Sequence, residues 1–148
     1  YSVDVLWKVP HFEKMLYDNA QLIELYAKAF AQYQQGHYKE LVFQSFEFLE
    51  RELLHESGAY YSALDADSEG EEGKFYCWAI DEVEQLFGKD AALVKSYWNF
   101  NQLGYWEDGK HIPLKKQDDL SFAKAHNMTL AQWQEKKVKF NDILLCKW

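Results

Sequence analysis

Apolar residues first recur at helical spacing. Across residues 11–33 they fall at Phe12, Leu16, Ile23, Ala27 and Phe30 or Ala31, one face of an α-helix, and Pro10 suits a helix start. Gly36 interrupts the run, and the period resumes over residues 38–55 through Leu41, Val42, Phe46, Leu49 and Leu53. So short a joining segment predicts an antiparallel helical hairpin. The pattern then changes. Residues 59–64 and 74–78 are aromatic-rich and strand-like, and between them lies Asp65-Ala66-Asp67-Ser68-Glu69-Gly70-Glu71-Glu72-Gly73, which predicts a β-hairpin carrying a long acidic loop.

Further along, Asp81 is placed to cap a short helix that Gly88 ends, and residues 91–97 supply another turn or two. Residues 104–114 read as an extended excursion turning at Asp108-Gly109, with Pro113 barring a helix interior. Thr129-Leu130-Ala131-Gln132 has the form of a capping box and predicts a helix to about Cys146, with Glu135, Lys136, Lys137 and Lys139 on its solvated face. The expected class is mainly α. Neither a linker nor a repeat divides the 148 residues, so one unit over residues 1–148 is expected.

Composition narrows the functions available. An aromatic fraction of 18%, with 6 Trp, 10 Tyr and 10 Phe, argues against disorder and suits a dense core or a stacking pocket. The net charge of -8, with no basic stripe, repels polyphosphate, so no nucleic-acid partner is expected. No membrane partner is expected either, since no apolar run approaches the roughly 18 residues of a spanning helix. The sequence opens Tyr1-Ser2-Val3-Asp4, without an initiator Met or a secretory layout, and reads as a piece of a longer protein. Cys77 and Cys146 form neither a CxxC pair nor a metal knuckle, which favours the cytoplasm over an oxidising compartment.

Two segments concentrate ionisable groups. His11 and Glu13 lie at the expected start of the first helix, where exposed N–H groups and the positive dipole end can orient a polar ligand or assist proton transfer. The plainer alternative makes them backbone partners, with Lys14 and Asp18 an exposed i,i+4 pair. Asp65 and Asp67, followed by Gly70, imitate the start of a calcium-binding loop, but its twelfth position is Tyr76 instead of a bidentate Glu. Paired carboxylates also divide into acid and base when their environments differ. The plainer reading is a solvated turn. His37, His55, His111 and His126 are scattered, so no metal or cofactor is assigned.

Taken together, the run from Trp7 to Ala20, containing Val9-Pro10-His11-Phe12-Glu13-Lys14-Met15-Leu16-Tyr17-Asp18-Asn19-Ala20, and the run from Tyr61 to Tyr76 around Asp65-Ala66-Asp67-Ser68-Glu69-Gly70 closely resemble the YyaL and spermatogenesis-associated protein family. The resemblance extends through about Trp78 and more loosely to Gly104-Tyr105-Trp106-Glu107. It implies part of a six-hairpin glycosidase-like (α/α)6 toroid, without the family's thioredoxin-like domain and without redox activity. It further implies that His11, Glu13, Asp65 and Asp67 face a rim pocket as catalytic residues. Tyr17, Trp7 or Trp78 would stack on a sugar ring, and Asp18, Asn19 and Glu69 would complete the binding set. A sugar or polyol ligand is expected, and helix faces left open by a partial toroid would self-associate. The alternative is a non-catalytic protein-binding or scaffold module.

Overall fold

In the computed structural model, which describes residues 2–146, the chain is mainly helical with short antiparallel strand pairs. Its contacts cluster into two units: one holds residues 11–72, and the other joins residues 2–10 to 73–146.

The unit of residues 11–72 begins with β1 (Lys14–Met15), followed directly by α1 (Leu16–Tyr33). The helix therefore starts later than Pro10 suggests, because Lys14 and Met15 pair antiparallel with Leu64 and Ala63 of β2 (Ala63–Leu64). Gln34, at φ 53, closes α1 by donating its N–H to the Phe30 carbonyl at 2.9 Å. Gln35 then precedes α2 (Gly36–Phe48), whose last turn runs into a π-helical turn, Leu49–Leu53. Gly36 thus opens the second helix; the break falls at Gln34. α1 packs on α2 as the helical hairpin expected, with Tyr26 stacked on Tyr38 at 5.9 Å.

The burial of that hairpin is unusual. Neither α1 nor α2 contains a buried residue, and Leu22, Leu25, Phe43 and Phe46 are all exposed. Leu49 and Leu53, on the π turn, are buried, as is Phe12 ahead of β1.

The acidic stretch forms its own tight hairpin, with β3 (Asp67–Ser68) paired to β4 (Glu71–Glu72). Glu69 at φ 54 and Gly70 at φ 80 fill its two-residue turn, the left-handed pair that matches strand twist. The expected pairing of residues 59–64 with 74–78 is therefore overturned. β2 pairs with β1, and β5 (Trp78–Ala79) pairs with β6 (Lys110–His111). Of the residues read as strand, Ala63–Leu64 and Trp78 are paired in strands, while residues 74–76 form a turn closed by the Tyr76 N–H donating to the Gly73 carbonyl at 2.8 Å.

The other unit carries the core. Trp78, Val83, Phe87, Val94, Tyr97, Phe100, Phe122, Trp133 and Phe140 form one buried cluster. They come from β5, α3 (Ile80–Phe87), α4 (Ala91–Tyr97), α5 (Asp119–Ala125) and α6 (Leu130–Leu145), with Phe100 just beyond α4. Residue 81 does not cap α3: Ala79 occupies that position, and its N–H donates to Glu82 Oε2 at 2.9 Å. The capping box of α6 is as the sequence suggests, with Thr129 N–H donating to Gln132 Oε1 at 2.8 Å and Gln132 N–H to Thr129 Oγ1 at 3.2 Å. α5 was not anticipated; Asp118 caps it by accepting the Ser121 N–H at 2.9 Å.

The turn at Asp108-Gly109 forms as expected, with Trp106 N–H donating to the Lys110 carbonyl at 2.9 Å. Gly104 lets the chain fold back there. A β-carbon on it would sit 2.1 Å from the Asn99 carbonyl oxygen, so no other residue fits without backbone movement.

Candidate functional site

The predicted residues are divided between the units. His11, Glu13, Tyr17, Asp18, Asn19, Asp65, Asp67 and Glu69 belong to residues 11–72, whereas Trp7 and Trp78 belong to the other unit.

Within residues 11–72 the β1–β2 pairing brings the two distant segments together. Its terminal pair is Lys14 with Leu64, and the chains run antiparallel. Glu13 precedes Lys14 and Asp65 follows Leu64, so the two carboxylate residues leave the same end of the ladder. His11 Nδ1 lies 4.0 Å from Glu13 Oε2, and the side chains are 29% and 42% exposed. Neither His11 nor Glu13 is in the opening turns of a helix, a correction to the sequence reading. Lys14 does not pair with Asp18 either, because its ammonium donates to the Phe12 carbonyl.

Local bonds limit what the neighbours can do. Asp65 Oδ1 accepts the Asp67 N–H at 3.1 Å, a side-chain turn that fixes the approach to the acidic hairpin. Asp67 is exposed, and Glu69 is used as a left-handed turn residue. Asn19 Nδ2 donates to the Met15 carbonyl at 2.8 Å, and Asp18 is half-buried in the first turn of α1. Tyr17 is 57% exposed and presents a ring to solvent. Among the described residues no group of three or more His, Cys, Asp or Glu is arranged to hold a metal ion.

The two tryptophans have opposite environments. Trp78 is 3% exposed inside the core cluster and offers no ring face to a ligand. Trp7 is 81% exposed and lines a hollow of about 340 Å³ with Lys8, Pro10, Ile112, Pro113 and Leu114. The sequence reading passed over the Ile112–Leu114 wall; Pro113 was seen only as a helix breaker. Asp4 organises the loop before it: its carboxylate accepts the Lys8 N–H at 2.8 Å, which holds that carboxyl below its ordinary range. Further hollows lie beside Lys136 and Phe140 on α6, about 480 Å³, and along Lys39 and Phe43 on α2, about 470 Å³. None of the three is lined by His11, Glu13, Asp65 or Asp67.

Two lysines expected on the solvated face of α6 instead bind its neighbours. Lys137 Nζ reaches Asp119 Oδ2 at 2.5 Å and Lys136 Nζ reaches Asp90 Oδ1 at 3.1 Å. Glu135 and Lys139 do form an exposed pair at 2.6 Å.

Comparison with known proteins finds relatives over part of the chain. The chain is 46% identical over 92 residues to human spermatogenesis-associated protein 20 and 45% identical over 92 residues to the mouse protein of that name, covering 58% of this chain in each case. Over this stretch the chain is similar to spermatogenesis-associated protein 20, in keeping with the resemblance that its motifs carry. An uncharacterised Caenorhabditis elegans protein is 35% identical over 97 residues, covering 60% of this chain. No family model matches the chain. The matched stretch spans 12% of the length of the mammalian relatives and 13% of the worm protein. Among the described residues no helix is long and apolar enough to cross a membrane. Cys77 is buried and Cys146 exposed.

Proposed function

We propose that this YyaL-like chain is part of a cytoplasmic protein whose helical (α/α)6 domain binds or processes a sugar or polyol, with Glu13 and Asp65 as its working carboxylates. The observation that carries this reading is the β1–β2 register, which releases both residues from one end of a two-residue ladder. His11, whose Nδ1 lies 4.0 Å from Glu13 Oε2, stands beside that carboxylate. Asp65, whose carboxylate accepts the Asp67 N–H, is held where it would support positive charge developing on a ring. The helical architecture is supported by α1 and α2, which lack any buried residue. Further helices of the parent chain, or a second copy, would supply the missing cover. The family's thioredoxin-like region is proposed to lie outside this chain.

The test uses the full-length parent. Glu13→Gln and Asp65→Asn are each expected to lower sugar turnover by about a hundredfold or more, the range for loss of a proton-transfer or charge-stabilising group. Neither should shift the unfolding midpoint appreciably, since Glu13 and Asp65 are exposed. Variants that unfold would return both residues to a structural role.

A second reading, a non-catalytic protein-binding module, is favoured by the exposed acidic strand Glu71–Glu72 at the tip of this unit. It predicts a parent that turns over no sugar yet loses a protein partner when both residues are reversed to Lys.

A further inference from the structure

No further inference is drawn: the strongest candidate, the surface of the α1–α2 helical hairpin on which Leu22, Leu25, Phe43 and Phe46 stand exposed, is an unpartnered apolar surface, and nothing in the structure shows what covers it.

Discussion

Trp133→Ala is expected to cost about 3–5 kcal/mol and to unfold the core cluster of residues 73–146 first. The ring has no solvent exposure, and it touches side chains from each neighbouring element of its unit. Its centroid lies 4.6 Å from Tyr97 on α4, 4.5 Å from Phe122 on α5 and 6.2 Å from Phe140 on its own helix. Truncation removes the transfer energy of the largest side chain and leaves a cavity that three tilted rings cannot collapse to fill, which sets the magnitude. Urea denaturation followed by near-ultraviolet circular dichroism checks it, because the aromatic signal arises where rings are fixed. An indistinguishable midpoint for Trp133→Ala and the parent would mean that the cluster is not the cooperative core. Trp133→Phe keeps part of the volume and should cost less.

That residue shows what the sequence made legible and what it did not. The helix bearing Trp133 announced itself through Thr129 and Gln132, since a capping box is a local device needing only four consecutive residues. The α1–α2 hairpin was equally local, resting on period and a short connection. The strands were misassigned because pairing is a long-range choice. Residues 59–64 and 74–78 have strand composition, yet Ala63–Leu64 pairs with Lys14–Met15 and Trp78–Ala79 with Lys110–His111. Nothing within either run names its partner.

The same distinction applies to the candidate site. That His11, Glu13, Asp65 and Asp67 were expected to share a pocket came from motifs resembling a family, not from spacing, and the ladder register is what relates Glu13 to Asp65. Trp78 was read as a stacking ring from the family resemblance alone. Its burial follows from the facing cluster, which no local pattern encodes. Lys136 and Lys137 looked like a solvated face because helical charge runs usually are. Their partners Asp90 and Asp119 are 46 and 18 residues away in sequence.

Asp119 turns that last point into the prediction with the clearest pH signature. Lys137 Nζ at 2.5 Å and Lys115 Nζ at 3.0 Å both bind its carboxylate, the Tyr97 hydroxyl donates to it, and its side chain is 17% exposed. Partial burial works to raise its pKa, but the hydrogen bonds from Lys137, Tyr97 and Lys115 outweigh burial and hold the carboxyl well below the ordinary range. On the other partner, burial and the neighbouring carboxylate push the Tyr97 hydroxyl well above its usual value, so the proton stays on the tyrosine. The sign follows directly. A group whose folded pKa is depressed stabilises the fold above its unfolded value, about 3.9 for Asp, and loses that contribution as pH falls toward the folded value. Asp119→Asn should therefore cost about 2 kcal/mol near neutral pH, where it leaves two ammonium groups facing a neutral amide. The gap between variant and parent should narrow steadily below about pH 4, where the unfolded parent's Asp119 takes up a proton that the folded carboxylate still refuses. Denaturation midpoints across pH 2–7 check this, with Glu135→Gln as the control. Its pair with Lys139 is 71% and 66% exposed, and its removal should change stability by less than about 0.5 kcal/mol. A gap independent of pH would show that the amide fails on shape, not charge, and would assign the junction of α4, α5 and α6 to packing alone.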